Sequence, residues 1–233
     1  MTYVTLGSKA DSQSVRLWVA SEEQSWRPTL TAVADGSGER VGVLGGTFDP
    51  PHVGHLAIAL EVRHVLALDR VLLMVAGDPW QKSSHSAVTP AVDRLAMTEL
   101  AAAGLSGVEV SDLEVQRSGP SYMADTLAHL AAANPGDELF LIVGSDAAEG
   151  LDTWSRPGDV RDRAVIVVVD RGGREGGRPP AGWPHLVVEV PSIDVSSSDL
   201  RRRAAAGEPI RGLVPSAVAD LIEARALYGA VDS

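Results

Sequence analysis

Apolar residues along this chain come in two alternating arrangements: short uninterrupted runs, and longer stretches with one apolar face. The runs at 41–44, 71–75, 139–143, 164–169 and 186–190, with a shorter one at 108–110, read as buried strands. Between them Leu56, Ala59, Leu60, Val62, Arg63 and Leu66 carry helical spacing. So do 90–103 and 123–133, and the pattern closes with a serine-capped helix and a last helix over about 215–227. Strands apolar at every position belong to a parallel sheet covered on both faces. The alternation therefore predicts an α/β fold, a doubly wound Rossmann-like parallel sheet with C-terminal helices. Its ligands are expected beyond the carboxyl ends of the strands. The segments that follow residues 44, 143 and 190 lie at such ends.

Residues 1–40 lack a period of either kind, with Trp18 and Trp26 set among polar residues. They read as an N-terminal extension: flexible, an extra strand, or the product of a start set too far upstream. Residues 41–229 read as a single domain. The stretch 83–88 is polar and is expected to close over substrate. The stretch 172–182, rich in glycine, arginine and proline, reads as a mobile connection with Arg171, Arg174 and Arg178 solvated.

Composition narrows the function classes. The 233 residues are 45% hydrophobic with mean hydropathy near zero, ordinary for a globular chain able to bury a sizeable core. A net charge of −11 argues against a general nucleic-acid surface, which needs a basic face. There are no cysteines, so disulfides, a thiol nucleophile and cysteine-rich zinc sites are excluded. No apolar stretch is long enough for a membrane span and no signal-like core starts the chain, so a cytoplasmic protein is expected, with neither membrane nor nucleic acid as partner. The oligomeric state stays open, a homo-oligomer included.

Against that acidic background, cations concentrated at one place mark an anion site. Residues 45–55, Gly-Gly-Thr-Phe-Asp-Pro-Pro-His-Val-Gly-His, join the first strong strand to the first helix. Gly45 and Gly46 are expected to form a glycine turn that lets a phosphate approach the backbone, and the N–H groups opening the helix favour anions. His52 and His55 share one face of the helix start and can donate to one polyphosphate. The bland alternative makes His52 a cap and His55 a satisfied, half-buried residue. A second cradle is expected at 195–201, where Ser196 and Ser197 suit a helix N-cap, Asp199 suits a first turn and Arg201 opens a basic cluster.

The first segment resembles the GTFDPxHxGH signature of the HxGH nucleotidyltransferase superfamily, and the second its ISSTxIR motif. Four further blocks are similar to bacterial nicotinate-nucleotide adenylyltransferases. They are Gly-Asp-Pro-Trp-Gln-Lys at 77–82, Arg-Ser-Gly-Pro-Ser-Tyr-Met-Ala-Asp-Thr-Leu at 117–127, Gly144-Ser145-Asp146 with Trp154, and Leu227-Tyr228 near the end. The resemblance implies adenylyl transfer from ATP to nicotinate mononucleotide, giving deamido-NAD and pyrophosphate. It implies His52, His55, Lys82 and Arg201 as the catalytic cations. It further implies an ATP site of Gly45, Gly46, Thr47, Phe48, Gly54, Gly144, Asp146, Ser196 and Ser197, with Asp146 on the ribose hydroxyls. The mononucleotide falls to Tyr122, Met123, Trp154 and Ser155. Magnesium is expected to arrive on the ATP phosphates, with no dedicated protein cage. Asp49 and Asp125 read as structural or capping residues.

Departures from the family pattern stand at Gln81, at Ser155 and at Met123, which replaces a threonine hydroxyl with a thioether that cannot donate a hydrogen bond. Three alternatives stay open: a pantetheine-phosphate adenylyltransferase, an enzyme for nicotinamide mononucleotide, and a nucleotide-binding regulator without turnover. A cytidylyltransferase fits the blocks less well.

Overall fold

The computed structural model describes residues 16–18, 38–79, 88–171 and 176–229. Its strands are β1 (Arg16–Trp18), β2 (Arg40–Gly46), β3 (Arg70–Val75), β4 (Val108–Ser111), β5 (Glu138–Gly144), β6 (Val165–Arg171) and β7 (His185–Val190). Its helices are α1 (Val53–Val65), α2 (Ala91–Ala102), α3 (Leu113–Gln116), α4 (Met123–Ala133), α5 (Ser145–Glu149), α6 (Pro157–Arg163), α7 (Ser197–Ala205) and α8 (Ser216–Ala224). Short 3-10 turns add Leu151–Thr153 and Leu227–Gly229.

The strand order β1-β7-β6-β5-β2-β3-β4 is that of a doubly wound sheet, in which the chain runs outward through β3 and β4 and then returns to build the other half. The pairs β2/β5, β5/β6 and β6/β7 are parallel, with Leu44 opposite Ile142, Gly144 opposite Val169 and Arg171 opposite Val190. Strand β1 lies antiparallel on β7, with Leu17 opposite Leu186. The rest of residues 1–37 lies outside the described residues.

The apolar runs predicted as strands are the strands, and they supply much of the core: Val43, Leu73, Phe140, Leu141, Ile142, Val167 and Val168 are all buried. Helices α3, α5 and α6 have no counterpart in the periodicity reading. Helix α6, Pro-Gly-Asp-Val-Arg-Asp-Arg, buries only Val160, so a single apolar residue marks its inner face. Its clearest signal is Pro157 in the first turn, where the missing N–H costs nothing.

The chain divides into two compact units. One holds Met1–Leu44, Glu61–Val71 and Tyr122–Ser192; the other holds Gly45–Leu60, Leu72–Ser121 and Ile193–Ser233. In the second, Met97 and Ala101 of α2, Leu200 and Ala204 of α7, and Val218, Ala219 and Ile222 of α8 form one buried cluster, with Leu56, Val195 and Tyr228 packed against it. Burying a side chain such as Leu200 or Ile222 contributes about 1.5–3 kcal/mol. That packing fixes the helix that carries Arg201.

Candidate active site

Both histidine-bearing and serine-bearing segments belong to the second unit. Strand β2 runs through Gly46, so Gly45 and Gly46 are strand residues and not the turn that was expected. Neither has a positive φ; the left-handed residue is Phe48, at φ 50°. What Gly46 provides is room, because a Cβ there would stand 2.8 Å from the Phe48 ring. The Phe48 ring is thereby tucked beneath the strand end, edge-on to His55 with 5.0 Å between ring centres.

After the cis Asp49–Pro50 peptide the chain enters α1. His52 is buried and His55 half-buried. Their rings stack at 3.7 Å, and the His52 backbone N–H donates to Nδ1 of His55 at 3.2 Å. A neutral imidazole that accepts at Nδ1 carries its proton at Nε2, so this contact sets the His55 tautomer. Gly54 stands between them, and a Cβ on it would lie 3.1 Å from His52 Nδ1. The helix start is a less open anion cradle than the sequence suggested, since Val53 N–H donates to the Leu213 carbonyl and His55 N–H to that of His52.

The serine segment meets this loop directly. Ser196 is the N-cap of α7, its Oγ accepting from Asp199 N–H at 3.1 Å. Ser197 donates to the Pro50 carbonyl at 2.9 Å, and Arg201 Nη1 donates to the Asp49 carbonyl at 2.7 Å. Asp49 is buried, and its carboxylate accepts from Thr89 N–H at 3.1 Å and from the Tyr228 hydroxyl at 2.7 Å. Burial, with the Asp49 contact and charge, raises the Tyr228 pKa.

Sequence reasoning missed Arg94. It sits on α2 almost wholly buried, where charged residues read as a solvated face. Its guanidinium donates to four carbonyls: Thr89 (2.8 Å), Thr47 (2.9 Å), Ala76 (2.6 Å) and Gly77 (2.9 Å). Burial lowers its pKa, opposed by the charge of Asp49 and Tyr228. No local signal marks it beyond a cation at an otherwise apolar helical position.

Two further blocks meet at Gly77 and Ser121. Gly77 N–H donates to Ser121 Oγ at 3.0 Å, and Ser121 N–H to the Asp78 carbonyl at 3.1 Å. Lys82, with Trp80 and Gln81, lies outside the described residues, as does the expected closing loop up to residue 87.

The other unit carries the remaining predicted residues. Gly144 caps α5, with Asp146 exposed in its first turn. Tyr122 caps α4 and its carbonyl accepts from Asp125 and Thr126; Met123 is the first helical residue, and both are half-buried. Trp154 and Ser155 are half-buried after the 3-10 turn, with Trp154 N–H given to the Leu151 carbonyl. Arg156 follows in the left-handed region at φ 52° and pairs with Asp125 at 2.6 Å, a hydrogen bond that raises the Arg156 pKa. The solvation expected for Arg178 is corrected: it forms a two-pronged pair with the buried Asp170, at 2.9 and 2.6 Å. Arg171 is exposed, and Arg174 lies outside the described residues. Asp170 is an uncompensated buried charge without Arg178, which is why this arginine is not left to solvent.

Known proteins align with this arrangement. The cytidylyltransferase-like family model matches residues 43–203, from β2 through the serine-capped helix. A protein of Saccharopolyspora erythraea, named "Probable nicotinate-nucleotide adenylyltransferase", is 42% identical over 83% of this chain and 91% of its own. The chain belongs to the nicotinate-nucleotide adenylyltransferase family. A family member from Roseiflexus sp. is 46% identical over 81% of this chain and 97% of its own. Among solved structures, Plasmodium falciparum nicotinic acid mononucleotide adenylyltransferase complexed with NaAD superposes with a TM-score of 0.69. It covers 83% of this chain and 98% of that one at 16% identity, a likeness of fold. The fold and the family agree with the motif reading. No helix among the described residues is long and apolar enough to cross a membrane.

Proposed function

We propose that this chain transfers the adenylyl group of ATP to nicotinate mononucleotide, forming deamido-NAD and pyrophosphate in NAD biosynthesis. The observation that carries the reading is the meeting of the two motifs, with Arg201 on the Asp49 carbonyl and Ser197 on the Pro50 carbonyl beside the stacked His52–His55 pair. Two phosphate-binding elements distant in sequence are thereby held to one loop.

The reaction needs little covalent help from the protein. A phosphate oxygen of the mononucleotide attacks the α-phosphorus of ATP, the new P–O bond forms, the α–β bridging bond breaks and pyrophosphate leaves with the electron pair. Positioning and charge stabilisation remain for the protein. His55, protonated at Nε2, donates to the α-phosphate and the departing bridge, and His52 to the triphosphate. Arg201 and Lys82 neutralise phosphate charge. Gly45, Gly46, Thr47, Phe48 and Gly54 shape the cradle, with Ser196 and Ser197 at the phosphate tail. Gly144 and Asp146 take the ribose.

Tyr122, Met123, Trp154 and Ser155 form the mononucleotide site, with the Trp154 ring as the platform for pyridine. The resemblance around Tyr122 and Trp154 supports a preference for the acid over the amide, since a family pocket that holds a carboxylate through N–H donors matches an amide poorly. The site works in the cytoplasm.

A divalent cation such as magnesium, carried on the ATP phosphates, would offset phosphate charge beside His52, His55 and Arg201. Among the described residues no group of three His, Asp or Glu side chains forms a metal cage, and both carboxylate oxygens of Asp49 are already engaged by Thr89 and Tyr228. The engaged Asp49 carboxylate accords with a cation that is carried in on the substrate.

The test is pyrophosphate release with ATP and magnesium, offering nicotinate mononucleotide, nicotinamide mononucleotide and phosphopantetheine in parallel and weighing the products. Turnover chiefly with the first is expected. Comparable kcat/KM for the two mononucleotides overturns the acid preference, turnover with phosphopantetheine overturns the substrate, and ATP binding without any turnover points to the regulator.

A further inference from the structure

The last described turn of the chain reaches back to the histidine loop. Tyr228 sits in the 3-10 turn Leu227–Gly229 at φ 63°, just after Ala226 at φ 47°. Left-handed backbone at a residue with a Cβ is unfavourable and persists only where surrounding contacts over-determine it. Here those contacts are visible. The ring packs against the α2/α7/α8 core, and the hydroxyl donates to Asp49 Oδ1 at 2.7 Å, 3.8 Å from Met97 Sδ.

The other end of that hydrogen bond is just as constrained. Asp49 follows Phe48, itself left-handed at φ 50°, whose ring backs His55. The carboxylate of Asp49 is shared between Thr89 N–H and Tyr228, while its carbonyl receives Arg201. Three residues from distant parts of the chain thus converge on one buried aspartate three positions ahead of His52. Arg201 belongs to the serine motif, whereas Thr89 and Tyr228 belong to neither motif; of these two Tyr228 alone sits on left-handed backbone.

We infer that Tyr228 is a positioning residue for His52 and His55: its hydroxyl fixes the Asp49 carboxylate, and through Asp49 and Phe48 it holds the His55 ring where the His52 N–H can reach Nδ1. Without the hydroxyl, Oδ1 of a buried carboxylate loses its donor and the side chain turns to seek another. That turn moves the Asp49 carbonyl away from Arg201 and the Phe48 ring away from His55. The kinetic consequence rests on the adenylyl-transfer reading above; the effect on the His55 ring does not.

The experiment compares the full chain with its Tyr228→Phe variant, which keeps the ring and removes only the oxygen. Two-bond nitrogen–proton NMR reads the tautomer of each histidine without substrate. We expect His55 as the Nε2–H tautomer in the wild type and a mixture in Tyr228→Phe. With ATP and nicotinate mononucleotide, kcat is expected to fall by up to about a hundredfold, the size of effect known for a misplacement of about 1 Å, with KM within about twofold. Thermal melting is read alongside, so that a loss of folded protein is not taken for a loss of rate. An unchanged His55 tautomer in Tyr228→Phe overturns the inference, whatever happens to the rate or to the melting temperature. A changed tautomer, with a wild type that turns over no nicotinate mononucleotide, leaves the positioning role standing and removes the functional reading instead.

Discussion

The backbone N–H of His52 donates to Nδ1 of His55 at 3.2 Å, so one histidine of the pair sets which nitrogen of the other bears the proton. The stacked rings are therefore a directed unit, with His55 presenting Nε2–H as its donor. Asparagine places an amide near the Nδ1 position and glutamine near Nε2. His55→Asn is thus expected to lower kcat by about 10²–10³, the range for removing one preorganised donor, with an unchanged melting temperature. His55→Gln should retain more activity. Steady-state kinetics on both variants checks the order, and equal loss in the two removes the assignment of Nε2–H as the donor.

Gly54 is where the histidine pair is most tightly enclosed. An added Cβ would meet His52 Nδ1 at 3.1 Å and Val195 Cγ1 at 3.2 Å. Gly54→Ala gains helix propensity, worth about 1 kcal/mol, so a stability loss is not the expected outcome. The expected outcome is a displaced His52 ring and a kcat lower by about tenfold or more, with little change in melting temperature. Wild-type kcat in Gly54→Ala would show that the ring yields without consequence.

Arg94 ties four backbone carbonyls of the second unit to one guanidinium. Replacing it with methionine keeps much of the volume and strips the donors from the carbonyls of Thr47, Ala76, Gly77 and Thr89. Each buried group left unpaired costs about 1–3 kcal/mol, so Arg94→Met should destabilise by at least about 3 kcal/mol. In a chain of this size that is a fall of roughly 10 °C in melting temperature. Arg94→Lys keeps the charge but lacks the planar fork, and is expected to fall between the two. Melting curves decide, and a methionine variant as stable as wild type would refute the role.

The pairing of Asp170 with Arg178 is open to a direct stability test. Arg178→Ala leaves a buried carboxylate unpaired, for which about 3–5 kcal/mol is typical. Arg178 is partly exposed, so solvent screens the pair and the lower end, or somewhat below it, is expected. The double variant Asp170→Asn, Arg178→Ala should recover part of the loss. A solvated Arg178 would give no loss in denaturant melts.

His185 gives the fold an acid sensitivity. It is buried on β7 with Nδ1–H donating to the Trp183 carbonyl at 2.9 Å. Burial lowers its pKa, opposed by the bond to the Trp183 carbonyl and helped by a smaller push from the charge of Arg178. A group whose folded pKa is depressed binds more protons unfolded, so stability rises with pH across the window between the two values. The histidine contribution is therefore intact above its ordinary value of 6.5 and is lost as pH falls below it. His185→Asn keeps a donor near Nδ1 and does not titrate. The wild type should lose more stability than this variant between pH 6.5 and 5, and parallel denaturant curves would remove the assignment.

The apolar pattern was enough to lay out the main strands and their alternation with helices, and the motifs marked the segments on which the proposed phosphate site rests. Those features are local: an apolar run such as that of β5 can only be buried on both faces, His52, His55 and Ser196 stand at helix starts, and Arg201 follows one turn into α7. Helix α6 escaped because one buried valine leaves no period to detect. The glycine turn was misplaced because spacing cannot tell a glycine needed for backbone angle from one needed to seat a neighbouring ring, as Gly46 does for Phe48. Arg94, Tyr228 and the Asp170–Arg178 pair were decided only by the tertiary structure. Arg94 and Tyr228 are buried beside partners remote in sequence, the buried Asp170 meets a partner that is nearer in the chain, and in each case the cost of burying a polar group is known only once its partner has been brought to it.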